Sequence, residues 1–326
     1  LASVSVMLST FNRAAYVRQA IDSLLGQTFP PRQIIVVDDG STDGTASVLD
    51  SYGDRIVRLS QSNSGKSVAL NRALEQAAGE YVWVFDDDDV AFPDALSRHM
   101  DALTATPGAS FTYSPHVRAF NAADGSILPD AEGPMPDLTP EQFFPRLLIS
   151  CFLLQQGSVC RTESFRAAGG YREDLTRSLD YDFLLRLARR SAAVRVADPT
   201  FYLRVHEGAR GTAGDAFKAS DKGLRWHVND KIIFRELHRD LALWEYLPHA
   251  GGAPEPATYD RKAALLARIA TMGRKGLWPE VFADMRAFAG NRGGTPRPAS
   301  EIAEALETAL TEPFAVRDLV AEPAQT

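Results

Sequence analysis

Along the first 113 residues the apolar positions alternate between two periods. Residues 3–10 contain Val-Ser-Val-Met-Leu-Ser-Thr, a run apolar enough to be buried on both faces of a sheet. Asn12 then reads as a helix cap. Val17, Ala20, Ile21, Leu24 and Leu25 follow at the i, i+3, i+4, i+7, i+8 spacing of one helix face. Pro30-Pro31 stops this helix, and 33–37 (Gln-Ile-Ile-Val-Val) is a second buried strand. Further strands are expected over 55–59, 81–85 and 109–113, with helices up to about 52 and over 66–78 and 94–104. Four strand–helix units joined by short loops predict an α/β fold with a mainly parallel sheet and helices on both faces. Such sheets bind ligands beyond the carboxyl ends of their strands. Polar residues just after the first, second and fourth strands should therefore converge.

The pattern is less regular from about 120 to 206. Asp124-Gly125 reads as a hairpin-like turn, 129–140 as a Pro- and acid-rich loop, and 182–190 as a helix. Beyond Gly211 the strand signals stop, and Leu224, Val228, Ile232, Leu237, Leu241 and Trp244 form a helical stripe ahead of helices over 259–273 and 279–288. The expected organisation is one α/β domain over 1–210, with a ligand-binding half at 1–113 and a second half at 114–210, followed by a helical region over 211–326. The stripe is most simply core; pairing of two copies or contact with a membrane surface are its other uses.

Composition narrows the classes. Of the 326 residues 45% are hydrophobic and 24% charged, which suits a folded globular chain and not a disordered one. The formal net charge of −7 argues against a nucleic-acid binder held by general attraction. No stretch approaches the ~18 apolar residues that span a bilayer, and the first ten residues lack the pattern of a signal peptide. Cys151 and Cys160 sit in apolar surroundings and read as buried thiols in a reducing compartment. A cytoplasmic protein is expected.

Three segments carry candidate chemistry. Asp86-Asp87-Asp88-Asp89 follows an apolar strand directly. Two carboxylates about 6 Å apart repel by roughly 3 kcal/mol at an effective dielectric of ~20, so four in a row call for a cation or hydrogen-bond donors. Oxygen ligands in a small cluster suit Mg²⁺ or Mn²⁺; a solvated acidic loop or a helix cap is the plainer use. Gly65-Lys66-Ser67 ends like a phosphate-binding loop, but position 60 is Ser where that pattern needs Gly. Lys66 beside a phosphate stands without that fold. Asp38-Asp39 closes the second strand, where a carboxylate can accept from a base edge or a ribose hydroxyl, or cap the turn formed by Gly40, Ser41 and Asp43.

Taken in order, Val4–Arg13, Leu24–Thr28, Ile35–Thr45, Asn63–Lys66, Ala69-Leu70-Asn71, Ala78–Tyr81, Phe85–Asp89 and Pro93 resemble the family 2 glycosyltransferases. The resemblance is dense over about 3–113 and sparser over 157–206. It implies the GT-A fold, a Rossmann-like mainly parallel sheet, here followed by a helical C-terminal extension. It also implies an inverting, metal-dependent transfer of a sugar from a nucleotide sugar, UDP-linked by preference, to a hydroxyl of a glycan or lipid-linked glycan in surface polysaccharide synthesis. By resemblance, Ser9 and Phe11 lie beside the base and Asp39 reads its edge. The Asp-x-Asp of the family falls on Asp86, facing the ribose, and Asp88, holding Mn²⁺ or Mg²⁺. Asp87 supports them, and Lys66 meets the diphosphate. Asp180, opening the helix Leu179-Asp180-Tyr181-Asp182, is implied as the base that takes the acceptor proton; Leu179 stands where the family often has Glu. His206, in Tyr202-Leu203-Arg204-Val205-His206, is implied as a metal or diphosphate contact. Capping for Asp180 and a satisfied surface position for His206 are the alternatives. Membrane contact at the inner face and self-association through the helical tail are compatible with this reading. Two other classes are a haloacid-dehalogenase-type phosphatase, because Asp86–Val90 fits Asp-x-Asp-x-Val, and a non-catalytic nucleotide-sugar-binding module.

Overall fold

The computed structural model describes residues 2–206, 222–291 and 296–321. The strands are β1 (Val4–Thr10), β2 (Gln33–Asp38), β3 (Val57–Ser60), β4 (Tyr81–Val84), β5 (Val90–Ala91), β6 (Phe111–Tyr113), β7 (Val117–Asn121), β8 (Ile127–Glu132), β9 (Val159–Arg161), β10 (Ala193–Arg195) and β11 (Phe201–Arg204). The helices are α1 (Val17–Leu25), α2 (Thr45–Asp50), α3 (Lys66–Gln76), α4 (Ala95–Ala105), α5 (Pro140–Ile149), α6 (Thr162–Ala167), α7 (Leu179–Arg190), α8 (Lys222–Asp240), α9 (Arg261–Arg274), α10 (Trp278–Gly290), α11 (Ala299–Ala309) and α12 (Pro313–Ala321). Two compact units result, one of residues Leu1–Asp137 with Phe152–Phe217, the other of Leu138–Cys151 with Lys218–Thr326.

The first unit is built on a seven-stranded sheet of order β10-β6-β9-β4-β1-β2-β3. β4, β1, β2 and β3 run parallel, and β9 lies antiparallel between β4 and β6. Strand β1 is buried along almost its whole length because both sheet faces are covered. On one face Val4, Val6 and Leu8 pack with Ile34, Val36, Trp83 and Phe85 against Val17, Ala20, Ile21 and Leu24 of α1. Each such side chain contributes roughly 1.5–3 kcal/mol when fully buried. On the other face α3 packs on β1 and β2 through buried Ala69, Leu70 and Ala73. The chain runs outward through β1, β2 and β3 and then returns to place β4 beside β1. That reversal opens a crevice at the carboxyl ends of β1 and β4, where doubly wound sheets bind ligands.

A second sheet of order β5-β11-β7-β8 completes this unit. The hairpin around Asp124-Gly125 is present, but its second strand takes up Ile127–Glu132, so Pro129 lies in an edge strand and not in the loop read from the sequence. Asn12 is also not the cap of α1. It adopts φ 53°, which Asn tolerates, and the helix starts after Tyr16. The Asn12 N–H donates to Ser41 Oγ at 3.0 Å and its Oδ1 accepts from Thr42 N at 2.8 Å, which ties the loop after β1 to the loop after β2.

The second unit is helical. α9 packs against α5, α10 and α11, with Leu265, Ile269 and Met272 buried among Phe144, Trp278, Val281 and Ala309. α5 therefore groups with these helices, although its sequence position falls inside 114–210. The predicted stripe of α8 is only half correct. Leu241 and Trp244 are buried, but Val228 and Ile232 are 50% and 41% exposed, and Ile233 and Phe234 fill the core instead. Adjacent apolar residues at 232–234 give α8 two candidate faces, and packing chose the one with Phe234. Cys160 is buried in β9 as expected, while Cys151 is exposed after α5.

Trp83 on β4 donates from Nε1 to the Gln156 carbonyl at 2.7 Å inside the core. Trp83→Phe should destabilise the fold by about 1–3 kcal/mol, the cost of orphaning a buried acceptor. Urea unfolding checks this, and a change under 0.5 kcal/mol would refute it.

Candidate functional site

Strand β4 delivers Asp86–Asp89 to the crevice, and each of the four carboxylates meets a different set of partners. Oxygens of Asp86, Asp88 and Asp89 lie within 4.8 Å of one another. At that separation each charged pair repels by about 3–4 kcal/mol for an effective dielectric near 20, so the donors around them decide whether the cluster can exist. Asp86 Oδ1 accepts from Lys66 Nζ at 2.6 Å and from Gln155 Nε2 at 2.8 Å; its Oδ2 accepts from Gln156 Nε2 at 2.8 Å. Asp89, almost wholly buried, accepts from Gln156 Nε2 at 2.6 Å and from the Arg204 backbone N–H at 2.8 Å. Asp88 Oδ2 lies 2.9 Å from His206 Nε2. Asp87 stands outside the cluster, with Arg13 Nε at 3.7 Å.

Burial and the neighbouring Asp88 charge push the Asp87 carboxyl up to about 7 against the pull of Arg13. Burial and the charges of Asp88 and Asp86 likewise raise Asp89 well above the usual carboxylate range. Lys66 behaves in the opposite sense. Burial works to depress its ammonium, but the charge and hydrogen bond of Asp86 outweigh this and hold it above its ordinary value.

Arg204 locks the rear of this loop. Its side chain is buried; Nε donates to the Asp88 carbonyl at 2.6 Å, Nη2 to Gln19 Oε1 at 2.5 Å and Nη1 to Asn121 Oδ1. Tyr16 lies between two of these groups, its ring 5.1 Å from the Arg204 guanidinium and stacked on His206 at 4.9 Å. One arginine on β11 thus joins α1, β7 and the acidic loop, and sets the position from which His206 approaches Asp88.

The loops after β1 and β2 form the other wall. Ser9 and Phe11 are half-buried at the end of β1, whose Thr10 pairs with Asp38. Asp38 caps the turn by accepting from Ser41 N at 2.9 Å. Asp39 turns the opposite way. Its carboxylate accepts from Gln61 Nε2, Ser64 N and Gly65 N, each at 2.8 Å, and so shapes the loop that leads to Lys66. Gly40 makes this approach feasible: it holds φ 81°, and a Cβ there would lie 2.8 Å from Asn63 N.

Asp180 is in the first turn of α7, with its Oδ1 accepting from Tyr181 N at 3.0 Å. Burial raises its carboxyl above the ordinary value, Lys66 counters this, and Asp86 adds to it. Those two named charges place Asp180 in the same electrostatic field as the acidic loop. A raised carboxyl suits a group that must accept a proton.

Residues 5–131 match the sequence model of glycosyl transferase family 2. The chain carries a family 2 glycosyltransferase domain. Among its relatives is the putative teichuronic acid biosynthesis glycosyltransferase TuaG of Bacillus subtilis, 33% identical over 152 residues, which are 45% of this chain and 59% of TuaG. The curated relatives matched first are covered over 31% to 64% of their own length. Among solved structures, S. aureus TarS in complex with UDP-GlcNAc superposes with a TM-score of 0.57 at 19% identity, over 88% of this chain and 80% of that one. The mannosyltransferase PcManGT of Pyrobaculum calidifontis, in complex with GDP-Man and Mn²⁺, gives 0.52 at 20% identity, over 97% and 83%. These likenesses establish the GT-A fold of the family 2 domain. They remove the ground for a dehalogenase-type phosphatase, whose Asp-x-Asp-x-Val should follow the first strand, whereas here it follows β4.

Some residues that meet the acidic loop have no role in the expectations from sequence. Gln155 and Gln156 are both buried, and the signal available for them was a polar pair inside the apolar run Leu153-Leu154-Gln155-Gln156-Gly157. Arg13 and Arg204 stand inside the segments Val4–Arg13 and Tyr202–His206 that carry the family resemblance, but neither is assigned a role there, and Tyr16 carries no signal. In EDTA, Asp87 retains its proton to higher pH when folded than when unfolded, so stability falls as pH rises from about 4 to about 7. Asp87→Asn should flatten this slope and melt higher than the wild type at pH 8. Parallel melting curves between pH 5 and 8 would contradict the assignment.

Proposed function

We propose that the chain transfers a sugar, with inversion, from a nucleotide sugar to a hydroxyl of a glycan or lipid-linked glycan acceptor in surface polysaccharide synthesis. The observation that carries this is the gathering of Asp86, Asp88 and Asp89 beside Lys66 at the carboxyl end of β4, within the electrostatic reach of Asp180. The donor set is hard oxygen plus one imidazole, which suits Mn²⁺ or Mg²⁺. Asp88 and His206 are the residues to hold the ion, because Asp86 and Asp89 already accept from Lys66, the paired glutamines and Arg204. When bound, the ion neutralises charge on the departing nucleoside diphosphate.

Lys66 adds a fixed positive charge to the same wall, in a crevice where such charge acts strongly on a leaving diphosphate. Asp86 is held on both oxygens and faces the ribose. Asp39, already committed to the 61–65 loop, positions that loop and keeps a lone pair on Oδ2 for a base N–H. Ser9 and Phe11 flank the base, and Asp87 supports the acidic loop. Asp180 takes the proton from the acceptor hydroxyl as that oxygen attacks the anomeric carbon; displacement from one face with one base inverts the centre. TarS with UDP-GlcNAc and PcManGT with GDP-Man share this fold, so fold likeness leaves the base open, and the UDP preference rests on Asp39. TuaG, a putative teichuronic acid biosynthesis enzyme, supports a surface polysaccharide as acceptor. No described helix is long and apolar enough to cross a membrane. A nucleotide-sugar donor and a lipid-linked acceptor argue for work at the cytoplasmic face.

Calorimetric titration of UDP-, dTDP- and GDP-sugars, with and without Mn²⁺, tests the donor. Metal-dependent binding of one nucleotide class, lost in Asp88→Ala, is expected; no binding by folded protein would refute the proposal. Asp180→Asn should lower transfer to an envelope-glycan acceptor by about 10²–10⁴-fold. Its donor affinity should stay within about threefold of the wild type, which separates a proton acceptor from a structural cap.

A further inference from the structure

Gln155 is held at both ends of its side-chain amide. The two ends of a glutamine amide are nearly equal in shape, yet one donates and the other accepts. Asp86 is attracted by the NH₂ end, at 2.8 Å, and would be repelled by the carbonyl end. Gln155 is buried, so water is not there to satisfy the other end. Tyr171 does. The Tyr171 hydroxyl donates to Gln155 Oε1 at 2.8 Å, and burial keeps that phenol protonated by raising it well above its ordinary value.

Tyr171 is itself fixed from three sides. Asn71 on α3 accepts from the Tyr171 N–H at 2.9 Å and donates to its carbonyl at 2.9 Å, which mimics a backbone pairing. Gly170 lets the two approach: it holds φ 65°, and a Cβ there would lie 2.8 Å from Asn71 Oδ1. The tyrosine ring packs edge-on against Phe165 at 5.7 Å and against Phe183 of α7 at 5.1 Å. Helix α3 also begins with Lys66, which reaches Asp86 directly, and α7 carries Asp180. The two helices that approach the acidic loop therefore meet at Tyr171.

From this juxtaposition we infer that Tyr171 is a positioning residue for the donor site: its hydroxyl satisfies the Oε1 end of the Gln155 amide and so holds the NH₂ end fast against Asp86. The inference rests on the glycosyltransferase reading for its effect on ligand, though not for the orientation itself. Without the hydroxyl, Gln155 Oε1 has lost its donor in a dry site, and the amide is tethered at its NH₂ end alone. Asn71, Gly170 and the aromatic contacts serve the same end by holding the phenol at the required distance.

The test uses the full chain with Tyr171→Phe, Gln155→Met and the double variant. Tyr171→Phe keeps the ring among Phe165 and Phe183, so near-UV circular dichroism should change little, while the melting temperature should fall by a few degrees because Gln155 Oε1 loses its donor. Glutamine-selective ¹⁵N labelling reads the Gln155 side-chain amide directly. Its pair of proton signals should move and exchange faster in Tyr171→Phe, and unchanged signals would overturn the inference whatever the protein binds. Calorimetry with UDP and Mn²⁺ reads the consequence. Tyr171→Phe should weaken binding by about tenfold, and Gln155→Met by a similar factor. The double variant should bind no worse than Gln155→Met alone, because the tyrosine acts through the glutamine. Full binding by Tyr171→Phe, or its whole penalty repeated in the Gln155→Met background, would refute this. If the wild type fails to bind any nucleotide, the proposed function falls, and the amide spectrum still decides the orientation.

Discussion

Like charge at the end of a buried strand is the constraint on which the rest of this unit depends. β4 lies between β9 and β1, so the Asp86–Asp89 loop emerges from the middle of the sheet where water alone cannot screen it. The compensating groups come from the start of α3, the turn at 155–157 and the end of β11. Those segments are far apart in sequence, and each is delivered by an element with its own packing reason. Closing the acidic loop therefore amounts to closing the fold.

Compensation is uneven, and the unevenness divides the labour. Four consecutive aspartates have four environments: three donors on Asp86, a guanidinium beside Asp87, an imidazole on Asp88, and an amide with a backbone N–H on Asp89. A carboxylate already holding several donors is a rigid wall and a poor new ligand; one facing an imidazole is suited to share a cation with it. Asp39 shows the same logic on the opposite wall, where a carboxylate expected to read a ligand is also the organiser of the loop beside that ligand.

The second sheet explains why Arg204 can be buried at all. β11 pairs with β5 and β7, so its Arg204 side chain emerges among Asn121, Gln19 and the Asp88 carbonyl, with Tyr16 across its face. A guanidinium out of water needs its donors used and its charge opposed, and Asp88 and Asp89 supply the opposing charge. The strand that carries His206 toward Asp88 is held by this residue, which connects sheet geometry to the chemistry of the site.

What the sequence determined by itself was local and periodic. The parallel core of β1–β4, the face of α1 with Val17, Ala20, Ile21 and Leu24, the arrival of Asp39, Asp86 and Asp88 just past strand ends and of Lys66 at a helix start all follow from short-range patterns that burial enforces. Turn identity was less legible: Asn12 has the composition of a cap but serves as a left-handed link to Ser41 and Thr42, a role fixed by the neighbouring loop. In α8 three adjacent apolar residues left two faces open, and only packing with the other helices selected Ile233 and Phe234. Tertiary structure alone decided the partners of the acidic run. Gln155, Gln156 and Arg204 come from positions 69 to 116 residues away, with Tyr171 behind Gln155, and no local pattern encodes which buried donor will meet which carboxylate. That pairing is a property of the closed sheet, because a buried charge is tolerable only where the fold has already brought its donors.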